Sequence, residues 1–220
     1  MSQSWRLLIV GGSTTRGHSI SEEIVSYAYQ VMRDFPMGSQ IITKDLIQIR
    51  EVKEILENSS DFDVWIIQVG VSDALLRKSN FEKKSNLPKI YPSKHPSIAK
   101  VILKWIGYYS GTRRAKTNAS DFHSCIHSIA NIAEVRQAKI IWLGSVMAPI
   151  RLTKFEIAIK NLYCKLYFRD LATRAPNSHA FIDVDDNCSQ FVNRLDVFHL
   201  NQRGHDVLAT LIKEKLDNWS

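Results

Sequence analysis

Five short runs of apolar residues, rich in β-branched and aromatic types, recur along the chain at Trp5–Val10, Gln40–Thr43, Val64–Val69, Lys139–Leu143 and Ala180–Val184. Their near-continuous apolar character is that of strands buried on both faces. Helical spacings fill the intervals. They comprise Ile20, Ile24, Ala28 and Val31, with Ser19 and Glu22 placed as a capping box, then Leu46, Ile49, Val52 and Leu56. Further along come Phe122, Ile126, Ile129 and Ala133; Phe155, Ile159, Leu162 and Leu166; and Val207, Leu208, Leu211 and Ile212. Strands alternating with helices of this length predict right-handed crossovers and a parallel sheet covered on both faces. The exception is the passage from Ala74 to Asn118, where Pro88, Pro92 and Pro96 sit among lysines ahead of an apolar helical piece, Ile98 to Tyr109. It reads as an insertion or cap at about 77–117 within a single domain spanning 1–220.

With 220 residues, 45% of them apolar, the chain has material for one sizeable core, and no stretch approaches the roughly 18 uninterrupted apolar residues of a membrane span. The opening residues run straight into a strand-like hexamer too short for a signal-peptide core, so a cytoplasmic location is expected. Cys125, Cys164 and Cys188, odd in number and without metal or disulfide spacing, fit a reducing compartment. Charge changes the picture more. Eleven basic residues from Arg77 to Lys116 stand against the single acid Glu82, so this segment carries +10, the remainder −3, and the whole chain +7. The segment is expected to attract something anionic, such as a nucleotide, a diphosphate-linked or acidic glycan, or a membrane surface touched peripherally. No recognition-helix, RNA-binding or zinc-finger pattern accompanies the charge, so nucleic acid is not the expected partner.

In an open parallel sheet the reactive crevice lies beyond the carboxyl ends of the strands. After the first run comes Gly11-Gly12-Ser13-Thr14-Thr15-Arg16-Gly17, in which glycines permit a sharp turn and leave the Ser13 hydroxyl uncrowded, as a nucleophile elbow or an anion cradle requires. The spacing matches neither the phosphate loop nor the dinucleotide fingerprint. Near the other end, Asp196-Val-Phe-His199-Leu-Asn-Gln-Arg-Gly204-His205 precedes the last helix. An Asp and a His three apart on a turn can share one side, the carboxylate holding one ring nitrogen while the other acts as a base. A serine hydroxyl becomes a competent nucleophile only beside such a base.

These blocks resemble those of the SGNH, or GDSL, hydrolase superfamily. Its Gly-Asp-Ser-type turn is similar to Gly11-Gly12-Ser13, and its Asp-x-x-His block to Asp196, His199 and Gly204. The resemblance implies a flavodoxin-like α/β fold, a three-layer α/β/α sandwich on a five-stranded parallel sheet, with Ser13 as nucleophile and His199 as general acid/base oriented by Asp196. The third block reads Gly70-Val71-Ser72-Asp73 where the family has Gly-x-Asn-Asp, so Ser72 stands in place of the amide that donates to the oxyanion. The loop after the second strand, Thr43-Lys44-Asp45-Leu46-Ile47-Gln48, holds no counterpart of the second block's glycine. Oxyanion donors are therefore expected from Ser13 and Ser72, with Gln68 as a neighbouring alternative, and substrate contacts from Gly12, Gly70, Asp73 and Arg77.

The expected activity is hydrolysis of an O-acyl ester on a small molecule or glycan, with no cofactor and no metal. The alternatives are an O-acyltransferase to a glycan acceptor and a non-catalytic anion or glycan binder. His123 and His127 have the i, i+4 spacing of a helical zinc site but read as the flank of a core helix. Asp183, Asp185 and Asp186, which could hold a metal or substitute for Asp196, read as solvated, loop-capping acids; Cys188 in the same loop could be a reactive thiol but has no histidine at a recognisable spacing, and Ser145 reads as a loop serine near the pocket wall.

Overall fold

The structure is a computed structural model, and it describes residues 5–17, 24–75, 115–144, 154–192 and 199–219. Five strands, β1 (Leu7–Gly11), β2 (Gln40–Thr43), β3 (Val64–Gln68), β4 (Lys139–Leu143) and β5 (His179–Ile182), form one wholly parallel sheet in the order β2-β1-β3-β4-β5. Helices cover both faces. Leu8, Val10, Trp65, Ile67, Ile140 and Trp142 point to one side, against α3 (Ile49–Asn58) and α5 (Ala119–Val135). Leu7, Ile9, Val64, Ile66, Ile141 and Leu143 point to the other, against α2 (Tyr27–Asp34) and α9 (Gln202–Asp217). Alternate side chains of each central strand thus enter different apolar layers, which is why the runs are apolar without alternation. The expected three-layer sandwich is the architecture observed.

Short helices fill the strand ends: α1 (Ser13–Arg16) after β1, α4 (Val71–Ala74) after β3 and α8 (Val184–Cys188) after β5. The fifth strand was expected through Val184 but ends at Ile182, because Asp183 leaves the sheet to cap α8, accepting from the Asp186 N–H at 3.4 Å. Helix α2 begins later than the apolar spacing predicts. Its cap is Ser26, which accepts from Tyr29 N–H, and Ile24 lies outside it; Ser19, Ile20 and Glu22 fall outside the described residues. Likewise Leu46 is not the first core position of α3 but an exposed loop residue with φ of 55°.

The largest departure from 3.6-residue periodicity follows β4. Helix α6 (Lys154–Asn161) runs into a π-helical stretch, Leu162–Phe168, before α7 (Arg169–Arg174). The wider turn rotates the buried face, so that Tyr163, Cys164 and Phe168 enter the core and Leu166, expected inside, is exposed. Phe168 stacks on Trp142 at 4.6 Å between ring centroids, and Tyr163 on Phe122 at 4.2 Å.

One buried carboxylate ties these pieces together below the crevice. Asp73 is fully buried in α4 and accepts from the Ile49 N–H at 3.2 and 3.1 Å, which satisfies the start of α3, and from the Thr117 hydroxyl ahead of α5. The Tyr163 hydroxyl donates to the Thr117 carbonyl at 2.6 Å and extends the tie to the π-helix. Burial outweighs these hydrogen bonds and pushes the Asp73 carboxyl up to about 6.

Two outcomes are expected. Phe168→Ala destabilises the protein by about 3–5 kcal/mol in urea unfolding, whereas Leu166→Ala changes stability by less than about 1 kcal/mol; regular α-helical register would reverse that ranking. Because the Asp73 acid is weakened by folding, its contribution to stability is fully present below about pH 4 and is lost as pH rises through about 6. The stability difference between wild type and Asp73→Asn should therefore shift by roughly 2–3 kcal/mol across that window, in favour of the variant at the higher pH.

Candidate active site

Gly11 ends β1 paired with Thr43 of β2 on one side and Gln68 of β3 on the other, so three loops leave the sheet from one rim. The first is the Gly12-Ser13 turn into α1. A Cβ on Gly11 would lie 1.9 Å from Thr15 Oγ1, so only glycine lets the turn fold back over itself. Thr15 is buried there, its hydroxyl donating to Gln68 Oε1 at 2.9 Å and lying 2.8 Å from the Tyr27 hydroxyl. Gln68 in turn donates to the Gly144 carbonyl at 3.4 Å. The serine turn is thus pinned from below by α2, β3 and the end of β4, while Ser13 itself stays half-buried at the rim.

His199 arrives from the opposite end of the chain. Leu200 beside it is buried and bridges Val192, and Asn201 caps α9 by accepting from the Gly204 N–H at 3.0 Å. This anchored turn sets His199 Nε2 2.7 Å from Ser13 Oγ, across 186 positions of sequence. Its neighbour His205 has a different role. Fully buried, it accepts the Tyr27 N–H at Nδ1, 3.2 Å away, and burial lowers its pKa to about 4, so it stays neutral and braces α2 on α9. Asp196 and Arg77, expected to orient His199 and to meet substrate, lie outside the described residues, as does Ser145.

The loop after β3 supplies the third wall. Gly70 has φ of 114°, and a Cβ there would come within 2.6 Å of Cys164 Sγ, so the π-helix packs directly on glycine backbone. Cys164 donates to the Val69 carbonyl at 3.5 Å, and burial pushes its thiol up to about 12. Beyond Gly70, Ser72 lies in the first turn of α4 and lines the crevice with Gly12, Ser13 and His199. Asp73 does not: the expected substrate contact is instead the buried tie described above, because its carboxylate is turned towards Ile49 and Thr117. Gln68 lines the crevice too, but its amide already bonds Thr15 and Gly144.

A wall that sequence reading missed comes from the loop after β2. Leu46 and Ile47 border the crevice, Leu46 in the left-handed conformation that glycine ordinarily supplies. The turn is closed by Ile47 N–H to the Lys44 carbonyl at 3.2 Å and held to α1 by Arg16 on Asp45 at 2.8 Å. Only the hydrophobicity of Leu46 and Ile47, between Asp45 and Gln48, hinted at it. The crevice has a volume of about 260 Å³.

The other candidates have settled partners. His123 and His127 face each other with Nε2 atoms 3.0 Å apart, and no cluster of three or more metal-ligating side chains occurs among the described residues. Asp183 pairs with Lys165 and Arg169, Asp185 with Lys160, and Asp186 with Lys165. Cys188 is buried, its thiol pushed up to about 11, which leaves little thiolate for chemistry.

No family model and no curated protein sequence matches this chain. Solved structures do. An acetylxylan esterase from Geobacillus stearothermophilus superposes with a TM-score of 0.58 at 14% identity, over 98% of this chain and 95% of the esterase. An α/β hydrolase from the metagenome of Lake Arreo, Spain, gives 0.61 at 14% identity, over 100% and 98% of the two chains. A GDSL-like lipase from Bacteroides thetaiotaomicron gives 0.58 at 14%, over 98% and 89%. At this identity the likeness concerns architecture, and the chain has the fold of the SGNH, or GDSL, hydrolases.

Proposed function

We propose that this chain is a serine esterase of the SGNH type, hydrolysing an O-acyl ester through an acyl-enzyme. The observation that carries the reading is the 2.7 Å contact between Ser13 Oγ and His199 Nε2 at the mouth of a crevice. A neutral imidazole at that distance accepts the hydroxyl proton as the oxygen attacks the ester carbonyl carbon. The Oγ–C bond forms, the carbonyl oxygen takes the negative charge, and the N–H of Ser13 with the Ser72 hydroxyl receives it. Collapse breaks the bond to the alcohol, which leaves with the proton from His199. Water then repeats the sequence, its proton passing through His199 back to Ser13 as the acid departs.

Asp196 takes the orienting role, holding the far ring nitrogen of His199 so that Nε2 faces the serine. Support comes from the Geobacillus esterase, whose solved catalytic mutants alter a serine, an aspartate and a histidine, the last two three positions apart as Asp196 and His199 are. Transfer of the acyl group to a sugar hydroxyl would use the same acyl-enzyme, and product analysis with and without a glycan acceptor separates the two outcomes.

Steady-state turnover of a small aryl ester tests the roles. Ser13→Ala and His199→Ala should each lower kcat by about 10⁶-fold, and Asp196→Asn by about 10⁴-fold. Retention of wild-type turnover by Ser13→Ala would refute the reading. Ser72→Ala should lower kcat by about 10²–10³-fold with KM little changed, the signature of a bond made chiefly in the transition state. An unchanged kcat would remove Ser72 from the oxyanion site.

A further inference from the structure

The crevice is lined by polar side chains, Ser13, Thr14, Gln68, Ser72 and His199, and by apolar ones, Leu46, Ile47, Val69, Val71 and Leu75. Among the described lining residues none is an Asp, Glu, Lys or Arg. Ile47 and Val69 are nearly fully buried, whereas Leu46 stands 60% exposed at the lip. That leucine is held in a left-handed backbone conformation, which side chains bearing a Cβ adopt at an energetic penalty and which gathers at ligand-contacting positions. A large apolar side chain kept in solvent by a strained turn, beside a nucleophile, gains its burial when a ligand arrives.

Size then separates the ligand classes. A crevice of about 260 Å³ has room for more than the two carbons of an acetyl. It is nevertheless smaller than the pockets that take drug-sized molecules.

Resting on the serine-esterase reading above, we infer that the crevice between Leu46, Val71 and Leu75 is an acyl-chain site, and that the substrate is an ester of an unbranched aliphatic acid of roughly four to eight carbons, not of acetic acid. The acyl carbonyl sits against Ser13 and Ser72, the chain runs along the apolar walls, and the alcohol departs towards the open side. Each methylene moved from water into such a site raises kcat/KM by roughly threefold to fourfold while room remains.

Two ester series tell the acyl from the alcohol part. In p-nitrophenyl acetate, butanoate, hexanoate and octanoate only the acid changes; in ethyl, butyl and hexyl acetate only the alcohol does. The inference expects kcat/KM to climb at least tenfold from acetate to hexanoate in the first series and to stay nearly flat in the second. Leu46→Gly, which removes the side chain and relieves the turn, and Val71→Phe, which fills the crevice, should each pull the hexanoate-to-acetate ratio down towards one. A preference for acetate, or a chain-length effect confined to the alcohol series, would overturn the acyl-chain site and leave the esterase reading standing. Turnover of no ester in either series above that of Ser13→Ala would overturn both.

Discussion

The register of the parallel sheet at Gly11 is the constraint from which the site follows. With Gly11 opposite Thr43 on one side and Gln68 on the other, the chain leaves three neighbouring strands at the same height. Ser13, Leu46 and Ser72 therefore converge without any loop longer than a few residues. A slip of one residue would turn every side chain of β1 to the opposite layer, exchanging Leu8 and Val10 with Leu7 and Ile9 between two closely packed cores. The apolar layers thus hold the rim in place, and the chemistry inherits its geometry from packing. Parallel strands need this burial on both faces, which also explains why two histidines from one chain segment fare so differently: His205 is drawn into the α2–α9 layer, while His199 remains at the rim.

Beneath the rim, polar groups are joined in a way that restricts motion of the turn carrying Ser13. Thr15, Tyr27 and Gln68 bond one another and reach the Gly144 carbonyl, linking the ends of β1, β3 and β4. On the other side of Ser72, Asp73 holds the start of α3 and the Thr117 hydroxyl. Buried polar groups satisfied in this manner fix one arrangement of the loops, since any other leaves an unpaired donor or acceptor in an apolar surround. The Gly70 backbone, pressed against Cys164 of the π-helix, adds a steric limit to the same wall. Rigid support of this kind is what allows a serine and a histidine far apart in sequence to meet at hydrogen-bond distance.

Much of this was legible from residue pattern. The β2 and β4 runs coincide with their strands, and Phe122, Ile126, Ile129 and Ala133 all enter the core on α5. The glycine turn after β1 was readable because glycine stands where no Cβ fits, and the histidine before the last helix because it follows Asp196 at a three-residue spacing. What escaped were features set by tertiary context. Leu46 has helical spacing to Ile49 and Val52, yet its turn takes it out of the helix; Leu166 fits an α-helical stripe, yet the π-helix rotates it to solvent. Asp73 sits in a block where the resemblance places substrate contacts, and its neighbours Ile49 and Thr117, 24 and 44 positions away, determine its actual role. No one-dimensional pattern encodes such pairings.

The central claim is that the Ser13 hydroxyl is activated by His199. Intact-mass and peptide analysis of the protein after treatment with a fluorophosphonate tests this most directly, because the reagent reacts with serines made nucleophilic by an adjacent base and with few others. A single adduct on Ser13, formed in wild type and lost in His199→Ala while the fold is retained, is the predicted result. Absence of an adduct from the wild-type protein, or an adduct on a different serine, would contradict the account.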